Sequence, residues 1–318
     1  MIELSIVVPC FNEEEALPLF YNECSKVIQG MNVSGYEMLF VDDGSKDQTL
    51  AVMKKLAATD AHVKYVSFTR NFGKEAAIYA GLKESRGNYV AVLDADMQDP
   101  PSLLPQMYAE ITGGEYDSIA ARRIDRKCES RTHGFLVHTF YKIINRISDV
   151  TLVDGARDFR LMSRRMVDSL LAMKEYFRFS KGLYEWAGYK TKWIEYEDVE
   201  RVAGETKWNG WKLFRYAIDG IFNFSHSPLN ISSAFGIVMT VISVVLLLVI
   251  VIRKLIFGDP VAGWASTVCI IVFIGGMQMF CMGIMGQYIA KTYIEVKHRP
   301  MYFIMESNTD SEDEKTGE

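Results

Sequence analysis

LSIVVPCFNEEEALPLFYNECSKVIQG, residues 4–30, sets an apolar β-branched run before a polar turn and a helical pattern. Such a short run reads as a buried strand, and the 3.6-residue spacing that follows reads as an amphipathic helix packed against it. Working outward, the same alternation continues to about residue 200. Strands are predicted over 3–9, 36–41, 63–67, 89–93 and 118–121, and helices over 14–29, 49–60, 75–85 and 103–112. Strands separated by helices predict an α/β fold with a mainly parallel sheet, whose ligands bind beyond the carboxyl ends of the strands. A chain of 318 residues is long enough to bury a sizeable core.

The second half differs in composition. Residues 234–252 carry no charge, and neither do residues 260–290. Nineteen residues of helix reach about 28 Å, enough for the hydrocarbon core of a bilayer. A two-helix transmembrane hairpin is therefore expected, with the chain returning to its starting side. Basic residues before the first run (Arg201, Lys207, Lys212, Arg215) and after the second (Lys291, Lys297, Arg299) outnumber Arg253 and Lys254 in the link. That bias places the large domain and both termini in the cytosol. Trp211, Phe214, Ile218, Ile221 and Phe222 share one helical face and predict a helix lying in the headgroup plane. The expected organisation is an α/β domain over 1–208, a juxtamembrane amphipathic helix over 209–228, the hairpin over 229–290 and a cytosolic tail over 291–318. No signal peptide is expected.

The formal charge of −5 comes from 35 basic and 40 acidic residues. Residues 306–318 hold six acids and one lysine, so the rest of the chain is balanced and no basic field argues for nucleic acid. That acidic end, lacking aromatics, is expected to be disordered. Five cysteines without a CxxC pair read as reduced thiols.

Candidate chemistry lies at the strand ends. Asp94 and Asp96 are two apart, so in an extended segment both would face one site and could share a hard divalent cation, Mg²⁺ or Mn²⁺, with a diphosphate. Asp42 closes the second strand and could accept hydrogen bonds from a base or ribose, whereas Asp47 reads as a turn residue. Residues 118–165 carry eleven basic side chains against five acids, enough to hold a lipid phosphate with some to spare.

In order, the chain shows SIVVPCFNEEE (5–15), FVDDGSKDQT (40–49), RNFGKEAA (70–77), VLDADMQDPP (92–101), DGARDFRLMSRR (154–165) and RVAGETKW (201–208). This succession resembles the family 2 glycosyltransferases of GT-A fold, and among them the polyprenyl-phosphate glycosyltransferases similar to dolichol-phosphate mannose synthase and the bacterial GtrB group. The resemblance implies inverting transfer of a sugar from a UDP or GDP sugar to undecaprenyl or dolichyl phosphate at the cytosolic face of a bacterial plasma membrane. It implies Mg²⁺ or Mn²⁺ as cofactor, and a nucleotide sugar, a polyprenyl phosphate and the membrane as partners, with a homo-oligomer allowed.

Carried over by motif, Pro9, Phe11, Asn12, Glu13, Asp42, Asp94 and Gln98 would hold the nucleotide sugar. Asp96, with Asp94, would bind the metal. Arg122 and Arg131 would bind the lipid phosphate, and Arg201 and Lys207 would lie near phosphates. Asp94, Asp96 and Asp158 would be the catalytic candidates, the structural alternative for Asp158 being an ion pair with Arg157 or Arg160. Two other readings stand beside this one, a processive polysaccharide synthase and a non-catalytic membrane scaffold. The missing Gln-x-x-Arg-Trp motif counts against the first, and the retained Asp94, Asp96 and Asp158 against the second.

Overall fold

The computed structural model describes residues 2–123, 145, 153, 155–196, 227–257 and 263–309. The strands are β1 (Leu4–Cys10), β2 (Tyr36–Asp42), β3 (Val63–Phe68), β4 (Tyr89–Val92), β5 (Ser118–Arg123), β6 (Ala156–Ser163), β7 (Thr191–Tyr196) and β8 (Ile304–Ser307). They form one sheet in the order β7-β5-β6-β4-β1-β2-β3-β8. The helices are α1 (Ala16–Gln29), α2 (Thr49–Thr59), α3 (Lys74–Glu84), α4 (Leu104–Thr112), α5 (Arg164–Ala172), α6 (Ser180–Trp186), α7 (Ser227–Phe257) and α8 (Trp264–Val296).

The central strands β4, β1, β2 and β3 run parallel, as the strand–helix alternation predicts. Alternate side chains of β1 feed two apolar layers. Leu4, Ile6 and Val8 pack with Leu17 and Phe20 of α1, and Met107 of α4. Val7 faces the other way, packing with Val92, Ala77 and Ala80 of α3, and Met166 of α5. Sheet and helices together hold the carboxyl ends of β1, β2 and β4 side by side.

β6 is the element that organises the site. It runs antiparallel between β4 and β5, with Val92 opposite Arg160 and Tyr89 opposite Ser163. Continuing that register two residues past the end of β4 sets Asp94 against Asp158.

Two expectations change here. Residues 304–307, expected in the tail, form β8 on the outer edge of β3. Glu306, expected to be disordered, pairs with Lys54 at 2.5 Å, and the Asn308 carboxamide accepts from Tyr65 N at 2.6 Å. Tyr302 stacks on Phe68 with ring centroids 4.7 Å apart. An edge strand left bare invites pairing with other chains, and β8 covers this one.

The second change concerns the hairpin. Among the described residues, no helix is long and apolar enough to cross a membrane. The spans expected over 234–252 and 260–290 correspond to parts of α7 and α8, which have 31 and 33 residues and in which several side chains lie outside the described set. The helix expected over 209–228 lies outside the described residues as far as 226.

A chain ended at Arg299 keeps every other element and removes β8. It is expected to melt several degrees lower, about 2–4 °C for each kcal/mol lost in a domain of this size, and to self-associate through β3. Calorimetry and light scattering check both. A melting temperature within a degree of the full chain would show that β8 adds nothing.

Candidate active site

Lys74 is the first residue of α3, where the positive end of the helix dipole disfavours a cation. It is tolerated because Nζ donates to Asp158 Oδ2 at 2.5 Å and to Asp94 Oδ2 at 2.8 Å. Lys181 Nζ approaches Asp158 Oδ1 at 3.8 Å and donates to Ala156 O at 3.0 Å. Enclosure would raise the Asp158 carboxyl, but the Lys74 and Lys181 ammoniums outweigh it and hold the group well below the usual carboxylate range. Enclosure likewise opposes the charge on Lys74, and Asp158 and Asp94 reverse that. The Arg157 charge also helps to lower it, but the direct ion-pair partners of Asp158 are Lys74 and Lys181, while Arg157 pairs with Asp99 and Arg160 with Glu185. Arg160 points towards α6, its guanidinium on Glu185 at 3.2 Å and over the Tyr184 ring at 4.5 Å.

The extended geometry expected for Asp94 and Asp96 is not what forms. β4 ends at Val92, Met97 has a left-handed backbone (φ 58°), and Asp96 accepts from Gln98 N at 3.1 Å within the turn. Arg157 anchors the far side of this turn, donating to Asp99 at 3.0 Å and Gln98 Oε1 at 3.1 Å. Asp99 also accepts from the Tyr196 hydroxyl. Gln98 is thus held beside the acidic turn by a strand-β6 arginine.

Ends of β1 and β2 are stitched together. Asn12, at φ 54°, donates its N–H to Ser45 Oγ at 2.9 Å and accepts from Lys46 N at 2.9 Å. Glu13 N donates to Thr49 Oγ1 at 2.8 Å. Pro9 lies in β1, and Phe11 is half-buried in the turn beyond it. Asp42 is 1% exposed, with its oxygens taken by Ser45 N at 3.0 Å and Ser67 Oγ at 2.8 Å. In this arrangement Asp42 braces the turn. Asp47 holds Thr49, as a turn residue should.

Asp43 takes a larger part than sequence reading gave it. It accepts from Phe72 N at 2.6 Å, Gly73 N at 2.9 Å and Asn71 Nδ2 at 2.8 Å, fixing the loop that delivers Lys74. Burial pushes its carboxyl up to about 6, against the pull of the Phe72 and Gly73 N–H groups. Gly44 makes this contact feasible, because at φ 65° a Cβ would lie 2.4 Å from the Arg70 carbonyl carbon.

Lys74 and Lys181 are functional candidates that sequence reading missed. For Lys74 the signal was available, a lysine directly after a glycine at a helix start where an acid is favoured. Of the residues proposed to bind phosphate, Arg122 lies on β5 with Nη1 3.4 Å from Glu195. Arg131, Arg201 and Lys207 lie outside the described residues.

Among the described residues, no three His, Cys, Asp or Glu side chains gather as a metal site. The pair put forward from the sequence, Asp96 with Asp94, offers hard oxygens that would suit Mg²⁺ or Mn²⁺. Lys74 already occupies one side of Asp94, so a cation here fits only if substrate oxygens complete its shell.

Comparison with known proteins gives the family. Residues 5–171 match the family model described as glycosyl transferase family 2. The chain is 41% identical over 303 residues to a protein named prophage bactoprenol glucosyl transferase homolog of Escherichia coli (strain K12), covering 95% of this chain and 98% of that one. It is 41% identical over 307 residues to the SfII prophage-derived bactoprenol glucosyl transferase of Shigella flexneri, covering 96% and 99%. A solved structure of glucosyl-3-phosphoglycerate synthase from Mycobacterium tuberculosis, with Mn²⁺, UDP-glucose and phosphoglyceric acid, is 17% identical, covers 70% of this chain and 78% of that one, and superposes with a TM-score of 0.45. With a family model over half its length and relatives matched almost end to end, the chain belongs to glycosyl transferase family 2, and it is a glycosyltransferase.

Proposed function

We propose that this glycosyltransferase moves a glucosyl group from a nucleoside diphosphate sugar to a polyprenyl phosphate, with inversion, at the cytosolic face of a bacterial membrane. The observation that carries the reading is the cation-bridged acidic pocket, Lys74 between Asp94 and Asp158, at the carboxyl ends of the central strands. Relatives aligned along nearly the whole chain carry the name bactoprenol glucosyl transferase, which supports the acceptor class. The helix pair supports a lipid setting. At 1.5 Å per residue, 31 and 33 residues reach about 46 and 50 Å. Ile237, Val241, Ile271 and Met279 are exposed along the two helices, and a run of exposed apolar side chains marks a surface that meets lipid or another protein.

In the proposed reaction an acceptor phosphate oxygen attacks the anomeric carbon and the nucleoside diphosphate leaves from the opposite face. A phosphate monoester with a second pKa of about 6 is already anionic near neutrality. Asp158, held ionised by two ammoniums, is a weak base and is not needed to take that proton. Its task is to keep Lys74 and Lys181 in place, presenting positive charge to the anionic acceptor phosphate and to the leaving diphosphate, on which negative charge builds up. Asp96, with Asp94, would hold a divalent cation, which would stabilise the departing diphosphate. Asn12, Glu13 and Gln98 would meet the nucleotide sugar, and Arg122 and Arg131 would meet the lipid phosphate, as the motif resemblance implies.

Two measurements test this. Asp96→Asn is expected to lower transfer from labelled UDP-glucose to undecaprenyl phosphate by about a hundredfold or more while leaving the melting temperature near native. Full turnover in that variant, or in native protein with excess chelator, would remove the metal role. Arg131→Ala is expected to raise the acceptor KM about tenfold, equivalent to roughly 1.4 kcal/mol, with little change for the donor. An unchanged acceptor KM would detach Arg131 from the lipid phosphate, and polymeric product would favour a polysaccharide synthase.

A further inference from the structure

The segment between α5 and α6 touches both the acidic pocket and the far end of α8. At one end Ser180 donates its N–H to Glu75 at 3.0 Å, and its hydroxyl donates to the same carboxylate. Glu75 directly follows Lys74, and Lys181 directly follows Ser180, so this contact sets both ammoniums that surround Asp158. At the other end Glu295 Oε1 accepts from Tyr176 N at 2.9 Å and Phe177 N at 3.4 Å. One turn earlier on α8, Lys291 Nζ lies 5.4 Å from the centre of the Phe177 ring. Lys291 and Glu295 are four apart and share a helix face. Between the two ends, Arg178 is buried, bonded to Leu170 O at 3.2 Å and set over Tyr79 of α3 at 4.7 Å. The strap from Tyr176 to Lys181 is therefore fixed along its length, and its outer anchor is a residue of the helix pair.

We propose that Glu295 is a positioning residue for the reaction. By holding Tyr176 and Phe177, it fixes the strap that places Ser180 on Glu75 and Lys181 on Asp158, so the charge geometry of the pocket depends on α8. The helix pair then does more than bring the enzyme to its acceptor. A small misplacement of groups that act on developing charge is costly in rate while leaving ground-state binding nearly intact. The proposal rests on the sugar-transfer reading for its kinetic arm only.

The test uses the full chain in lipid nanodiscs and compares native protein with Glu295→Gln, which keeps an acceptor oxygen, and Glu295→Ala, which does not. Amide exchange is followed by mass spectrometry in peptides covering 155–160 and 176–183, and transfer is followed with UDP-glucose and undecaprenyl phosphate. In Glu295→Ala, exchange is expected to rise about tenfold in both peptides. Its kcat is expected to fall about tenfold with the donor KM within about twofold of native. Glu295→Gln is expected to stay close to native in both arms. Faster exchange at 176–183 with an unchanged kcat would make the contact merely structural and overturn the proposal. So would unchanged exchange at 155–160, or equal loss in both variants. Absence of product with native protein would instead refute the transfer reading, and the exchange at 155–160 would still decide whether Glu295 reaches the pocket.

Discussion

A single ammonium, Lys74 Nζ, lies within 2.8 Å of two carboxylates, Asp158 on β6 and Asp94 just past the end of β4, and the geometry of the pocket depends on it. The antiparallel register of β4 and β6 brings Asp94 and Asp158 together, at a cost in repulsion between two like charges. Solvent reduces that cost here, since the Lys74 side chain is 42% exposed. Lys74, together with Lys181 beside Asp158, balances the two carboxylates in a compact cluster. Its position is in turn guaranteed by Asp43, which pins the preceding loop, and by Glu75, which pins the following turn to Ser180.

This arrangement separates two tasks that a row of aspartates in the sequence leaves merged. Asp42, Asp43 and Asp99 are all less than 4% exposed and spend their oxygens on loop N–H groups, hydroxyls or Arg157. Asp94, Asp96 and Asp158 are partly open. Buried acids hold the loops, and the open acids keep room for a ligand. Burial and partner count, rather than residue type, distinguish them.

Much of the scaffold was legible before the structure. The strand predicted over 36–41 is β2 at Tyr36–Asp42, and that over 63–67 is β3 at Val63–Phe68. Their apolar runs are buried on both faces, so composition alone reveals them. β6 and β7 escaped because ARDFRLMS and TKWIEY mix charges into the pattern. Arg160 is 2% exposed and looks like a surface residue until Glu185, Ser118 and Tyr184 are brought round it by the fold. β8 was hidden by the acidic composition of the chain end, since Glu306 is stabilised by Lys54, a partner some 250 positions away that no local pattern can signal. For the site, the acids at strand ends were readable, but the pairing of Asp158 with Lys74 required knowing that β6 lies beside β4.

The most direct test is to replace the bridging cation itself and read two quantities that the account moves in opposite directions. In Lys74→Met, Mn²⁺ affinity without nucleotide, measured by electron paramagnetic resonance, is predicted to stay the same or tighten, because the pocket loses a positive charge. Transfer at saturating Mn²⁺ and UDP-glucose is predicted to fall about a hundredfold. Native turnover in that variant, or a loss of turnover matched by an equal loss of Mn²⁺ affinity, would contradict the claim that Lys74 organises the pocket.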